Sequence, residues 1–335
     1  MRRILISSNI IQLAEDYRIN LFKNRNANFN KPINSDGISG NLIDLEDYLR
    51  IDCALPLYAD YVQTIIDNYS EIITLQPNNF QNYNNDFFSL TEVDLATTVI
   101  PPAGNTRFER KQLYELILNS MRYDAVRDKE FLAYIKKIGI KSCIYCNAQF
   151  SITTEVTNGS LSGKYELDHY FPKSKYPFLS TSFFNLILSC SHCNKSKYDR
   201  TALFNLYTTD YNLIESFSFS LDKRSILRYL LTQNEQELVI IFNSLDLSLK
   251  TNHENLFHIS ELYNQHKDIV EEIIWKSKIY NKSYKDSLSD SFNKFFPNSS
   301  NFNRFILGNY DNPNETHKRP MSKLIQDIAK QLGVI

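Results

Sequence analysis

Turn-forming residues are scarce in this chain: there are 8 glycines and 10 prolines among 335 residues. A β-sandwich needs a tight turn at nearly every strand end, so this composition argues against one. Net charge is also missing. Lys and Arg total 37 against 38 Asp and Glu, a balance of −1. A protein that coats nucleic acid would be strongly basic, so any phosphate contact here must come from a local patch. No run of about 18 apolar residues occurs, and no membrane span is expected. The opening Met1-Arg-Arg-Ile-Leu-Ile is interrupted by Ser7, Ser8, Asn9 and Gln12, with no small-residue cleavage site after it, so no signal peptide is expected. Five cysteines in a chain without a secretion signal predict a cytoplasmic protein with reduced thiols.

What is present is ample material for a core. Hydrophobic residues make up 42%, and 21 Tyr and 22 Phe offset the single Trp. The length predicts two or three lobes. Residues 1–104 read as a mostly helical region, with a helix over 43–69 and a polar loop at Pro77–Asp86. Ile100-Pro-Pro-Ala-Gly104 is a candidate boundary. Residues 105–140 read as a helical connector. There Thr106-Arg-Phe-Glu109 has the form of a capping box, Leu113, Leu116, Ile117 and Met121 recur at helical spacing, and a second helix over 127–138 stops near Gly139. Residues 209–335 read as a C-terminal helical region. It includes a helix over 267–285, with Val270, Ile273, Ile274 and Ser277 on one face, and a last helix from Pro320 to Leu332 that ends at Gly333.

Residues 141–208 differ in kind. Cys143-Ile-Tyr-Cys146 and Cys190-Ser-His-Cys193 form two matched CxxC pairs. Each presents two thiolates at a tetrahedral angle, and together they fill the shell of one Zn²⁺, leaving no position for water. The zinc is therefore expected to be structural. Cys53 stands alone and reads as a small buried hydrophobe.

Between the pairs, Gln149–Val156 alternates like a strand, Thr157–Gly163 reads as a hairpin turn, and a second strand runs over Lys164–His169. A short strand follows at Asn185–Leu188, then a helix opens near Ser191. Phosphodiester hydrolysis needs an activated water, a cation on the phosphate, and relief of charge on the leaving oxygen. Asp168 is a hard ligand suited to Mg²⁺, and Asn194 adds a neutral oxygen. Neighbours in a strand point to opposite faces, so Asp168 and His169 should sit at a strand end where the chain bends. Lys197, one turn beyond Asn194, is expected on the same face to hold a phosphate. From Lys164 to Arg200 six basic residues, including Lys173, Lys195 and Lys197, face three acidic ones, a small positive mouth in a nearly neutral chain.

The order CxxC, Asp168-His169, Pro172-Lys-Ser-Lys-Tyr-Pro177, Asn185, Cys190-x-x-Cys193-Asn194, Lys197 resembles the HNH nuclease family, with its ββα-metal fold and flanking zinc knuckles. The resemblance covers roughly 60 residues and implies a role for each matching position. His169 matches the general base and Asp168 the acidic metal ligand beside it. Asn185 matches the middle Asn that orients the base, and Asn194 the final metal-ligand position. An Asn there, where many members have His, tilts the catalytic metal toward Mg²⁺ or Mn²⁺. His192, two positions early, reads as a surface residue or one that supports the metal ligands from behind. The same arrangement resembles the nuclease subunits of Septu-type anti-phage systems, which work beside an ATPase.

The expectation is thus an α+β protein: a small ββα-metal core with a four-Cys zinc site, embedded in a mostly α-helical chain. Its expected activity is metal-dependent cutting of double-stranded DNA in anti-phage defence, with an ATPase partner or a second copy of the chain supplying grip. An RNA nuclease and a non-cutting zinc module that binds nucleic acid or a partner are the alternatives. The helix Pro320–Leu332 is a candidate partner contact, or else it closes the core of its own lobe.

Overall fold

The computed structural model describes residues 1–24, 32–33, 40–156, 159–292, 294–295 and 298–335. The chain opens with strand β1 (Ile4–Leu5) and helix α1 (Ser8–Ile19). Helices α2 (Asn41–Asp47), α3 (Pro56–Thr74), α4 (Phe80–Phe87) and α5 (Glu92–Ala96) follow, then the short strands β2 (Thr98–Val99) and β3 (Lys111–Gln112). Helices α6 (Leu113–Ser120), α7 (Tyr123–Ala125) and α8 (Leu132–Ile138) lead into the central segment. That segment holds β4 (Ile152–Glu155), β5 (Leu161–Lys164), β6 (Glu166–His169), β7 (Leu186–Ser189) and α9 (Ser191–Lys197). Beyond it come β8 (Tyr207–Thr208), β9 (Ser218–Leu221), α10 (Lys223–Thr232), β10 (Ile240–Asn243), α11 (Leu247–Phe257), α12 (Ile259–Asn264), α13 (Lys267–Ile279), α14 (Lys282–Ser291), α15 (Ser299–Leu307) and α16 (Ser322–Gln331). The architecture is α+β, mostly helical, with five two-stranded sheets among the described residues.

The helices follow from apolar spacing, and their ends follow from local chemistry. Helix α3 starts on Pro56 and buries Val62, Ile65, Tyr69, Ile72 and Ile73, one stripe at helical period. Gly139 ends α8 in the left-handed conformation, φ 83°, which costs glycine little.

Several boundaries depart from the sequence expectation. The helix expected over 43–69 is two helices, broken near Cys53 and Ala54, where Ala54 has φ 54°. The segment expected as a loop at 77–86 is mostly α4, which buries Phe80 and Tyr83. Its two aromatics, three residues apart, outweigh the Asn-rich composition once a core is there to take them. The cap of α6 is Glu115 accepting from the Gln112 backbone N–H at 3.1 Å, not the Thr106–Glu109 pair. The helix expected over 267–285 ends at Ile279, and Asn281 caps a new one. The last helix begins at Ser322, two residues after Pro320, because Met321 is left-handed at φ 62°.

Apolar residues from all four stretches of the chain join one cluster. Strand β1 pairs in parallel with β8, tying the N-terminus to the end of the central segment. Tyr17 of α1 packs edge-on against Phe131 and Tyr134, lies 5.8 Å from Phe183, and donates to the Thr181 carbonyl at 2.9 Å. From α4, Phe80 meets Phe171, and Phe88 just beyond it stacks on Phe178 at 4.1 Å. The helical flanks thus clamp the 170–185 loop from outside. Helix α16 buries Leu324, Ile325, Ile328 and Ala329, so it closes the core and is not an exposed contact surface.

Candidate active site and zinc centre

Strand β6 pairs antiparallel with β7, Asp168 opposite Ile187 and His169 opposite Leu186, and α9 follows directly. This β6–β7–α9 unit is a ββα arrangement. The expected hairpin differs in detail. Leu161–Gly163, expected in the turn, belongs with Lys164 to strand β5, which pairs with β4, while β6 turns to β7 instead. Thr157 and Asn158, expected in the turn, lie outside the described residues. Burial explains the choice of partner. Every residue of β7 is buried, whereas β4 and β5 are part-exposed, so β7 supplies the apolar surface that Leu167 needs.

Asp168 and His169 stand at the end of β6, both buried. Asp168 is 6% exposed. Its Oδ2 accepts from the Tyr145 hydroxyl at 2.7 Å, and its Oδ1 from Lys197 Nζ at 3.3 Å. Burial pushes the carboxyl above its usual pKa, and Lys197 and Tyr145 oppose that. His169, 4% exposed, places Nε2 3.0 Å from the Ser180 carbonyl. A carbonyl only accepts, so Nε2 carries the proton and Nδ1 holds the free lone pair. Burial first, then Lys173 and Lys197, pull its pKa down to about 3, so the ring is a neutral base at ordinary pH. Tyr123 lies 4.9 Å from the His169 ring and donates to the Leu167 carbonyl at 3.0 Å.

Asn185 is fully buried and staples the long loop between the strands. Its Oδ1 accepts from the Phe171 N–H at 2.8 Å, and its Nδ2 donates to the Phe171 and Leu179 carbonyls at 3.2 and 3.0 Å. These bonds hold the backbone on both sides of the turn that delivers Ser180 to His169. Asn194 on α9 is half-buried, and its carboxamide makes no hydrogen bond among the described residues, leaving its oxygen available as a ligand.

The lysines split. Lys195 is exposed. Lys173 is part-buried, its ammonium 4.4 Å from the Tyr123 ring centroid, and with Lys111, Tyr114, Tyr123 and Asp124 it lines a cavity of about 260 Å³. Lys197 departs from expectation. It is 1% exposed and bonds Asp168 Oδ1 and the His169 carbonyl, the latter at 2.7 Å, so it neutralises a buried carboxylate instead of facing a phosphate. Lys175 pairs with Glu92 at 3.0 Å. The positive mouth is therefore smaller than the count of basic residues implies.

The four thiols of Cys143, Cys146, Cys190 and Cys193 are buried, with sulfur atoms all within 4.8 Å of one another. Zn–S bonds of about 2.3 Å set the edges of a tetrahedron near 3.8 Å, so the group fits zinc with small inward shifts. Backbone N–H groups of Ala148 and Cys193 point at the Cys146 and Cys190 sulfurs, at 3.4 and 3.5 Å. His192, beside this group, is exposed. Next to the first pair, Asn147 is left-handed at φ 53° and fully buried. It accepts from the Lys323 N–H at 3.0 Å, capping α16 and welding the zinc knuckle to the C-terminal helix.

Three contributors escaped the sequence reading. Tyr145 holds Asp168, Tyr123 flanks His169, and the Ser180 carbonyl fixes its tautomer. Tyr145 alone carried a signal, an aromatic inside a CxxC pair, and that pattern says nothing about what the ring touches.

Residues 143–203 match the model of the HNH endonuclease family. No curated protein and no solved structure matches the chain.

Proposed function

We propose that residues 143–203 form a one-metal endonuclease centre that hydrolyses phosphodiester bonds in double-stranded DNA. The observation that carries this reading is the His169 ring, neutral and pinned by Ser180 with Nδ1 free, beside a buried carboxylate on a ββα unit. Asp168 and Asn194 would hold Mg²⁺ or Mn²⁺. Both offer hard oxygen atoms, and each Asp168 oxygen keeps a lone pair beyond its one hydrogen bond. The ion supplies positive charge to the scissile phosphate and the leaving oxygen.

The chain's own residues do the rest. His169 Nδ1 takes a proton from a water as its oxygen attacks phosphorus, and the P–O bond to the leaving sugar oxygen breaks. Asn185 keeps the 170–180 backbone in place, so the Ser180 carbonyl holds the ring against rotation. Lys173 and Lys195 face the backbone phosphates. The zinc thiolates, fully used among themselves, take no part in the reaction.

The defence setting and the partner belong to this proposal too. Motif order supports the Septu-like reading. Support for a partner protein or a second copy comes from α10, where Leu227 and Leu231 are 63% and 86% exposed, one turn apart.

The test is cleavage of supercoiled plasmid against a structured RNA, with Mg²⁺ or Mn²⁺. Plasmid nicking by wild type and loss of about 10²–10⁴ in rate by a folded His169→Ala variant are expected. RNA cleavage alone would overturn the DNA assignment, and undiminished nicking by His169→Ala would overturn the base. Light scattering after size exclusion, alone and with the neighbouring gene product, tests the partner.

A further inference from the structure

We infer that Tyr145 is a positioning residue for the catalytic carboxylate, and that through it the zinc knuckle sets the geometry of the metal site. This rests on the reading of Asp168 as a metal ligand. The Asp168 carboxylate is slung between two zinc-held segments. Tyr145 lies inside the first cysteine pair and reaches Oδ2 at 2.7 Å, while Lys197 ends the helix that the second pair opens and reaches Oδ1 at 3.3 Å. The shorter bond fixes the rotation of the carboxylate, and the longer one leaves Oδ1 the freer oxygen for a cation.

Tyr145 is itself held on every side. It is fully buried and stacked on Phe257 at 4.5 Å and 20°. Its carbonyl accepts from His253 at 2.8 Å, and the neighbouring Cys146 carbonyl accepts from the Tyr263 hydroxyl at 2.6 Å. A phenol so constrained has one direction in which to donate, and Asp168 is there. Hydrogen-bond partners of ligating carboxylates commonly carry tenfold or more of metal affinity, because they hold the ligand in its binding orientation.

The experiment titrates Mn²⁺ into full-length, zinc-loaded protein and reads free Mn²⁺ by electron paramagnetic resonance. Asp168→Asn defines binding that does not involve the carboxylate. Tyr145→Phe keeps the ring in its slot and removes only the hydroxyl. It should retain one zinc per chain and bind Mn²⁺ about 10- to 100-fold more weakly than wild type. Phe257→Leu loosens the same packing but keeps the phenol on Asp168, and should leave Mn²⁺ affinity close to wild type. A Tyr145→Phe affinity within twofold of wild type would overturn the inference, as would an equal loss in Phe257→Leu. Wild-type binding no tighter than that of Asp168→Asn would instead overturn the metal reading on which the inference stands.

Discussion

His253 of α11 is fully buried, with its ring packed among Phe204, Phe217, Phe242 and Phe257. Nε2 bonds the Tyr145 carbonyl at 2.8 Å, and Nδ1 has no partner among the described residues. Burial brings its pKa from 6.5 down to about 3; the carbonyl opposes this and the chain's amino terminus adds to it. Below pH 6.5 the unfolded chain takes up a proton that the folded one refuses until about pH 3, so acid drives unfolding across that window. The stability is present above the unfolded value and is lost as pH falls. Between pH 7.5 and 5 this one group should remove about 2 kcal/mol. His169 and His317 are held near 3 by burial as well, so the wild-type decline is steeper than one histidine gives. A His253→Gln variant isolates the share. It should be less stable at pH 7.5, since a shaped buried group is lost, yet its stability should fall about 2 kcal/mol less than wild type on going to pH 5. Urea unfolding followed by far-UV circular dichroism, with zinc content checked at each pH, makes the comparison. Parallel pH profiles for the two proteins would refute the reasoning.

Asn147→Ala should cost about 2–4 kcal/mol in urea unfolding, because it strips partners from Ser142 Oγ, the Thr316 carbonyl and the Lys323 N–H together. Cys193→Ser should drop zinc below one ion per chain by elemental analysis and lower the yield of folded protein, since structural zinc binding is folding free energy. With one base and one carboxylate in the unit, the isolated chain should nick supercoiled plasmid rather than linearise it in one encounter. Linear product appearing before nicked circles on a gel would count against a single site.

The zinc centre was legible because its signal is local. Two CxxC pairs specify ligand type, count and spacing without reference to the rest of the fold, and the structure gathers the four sulfurs as that pattern requires. The order of Asp168, His169, Asn185 and the helix after Cys190 was legible for a related reason: the motif fixes it along the chain, and the structure puts Asp168 and His169 at the end of β6, Asn185 directly before β7 and the helix over Ser191–Lys197. Strand pairing was not. Leu161–Gly163 reads as part of a turn and Lys164–His169 as one strand, but Leu161–Lys164 pairs with β4, Tyr165 divides it from β6, and β6 pairs with a strand beyond a 16-residue connection. Only the buried surface of β7 decides that, and burial is a property of the folded whole. Lys197 shows the same limit. Helical spacing put it on the face of Asn194, yet a four-carbon stem can turn inward, and a desolvated carboxylate at its reach makes that turn favourable.

The flanks follow from this division between local and non-local information. Residues before 141 and after 208 carry no catalytic motif, but the site is not built without them. Tyr17 of α1 and Phe80 of α4 brace the loop that carries Ser180 to His169. From the other side, α11 and α12 grip the first knuckle through His253 and Tyr263. A ββα unit this small presents two short strands and one seven-residue helix, too little apolar surface to order a 16-residue connection. The helices supply that surface, and the four clustered cysteines would supply a cross-link on binding zinc where the strands give out. The scarcity of glycine fits such a protein: the long loop is held by side chains such as Asn185 and the surrounding aromatic rings, not by tight turns of its own.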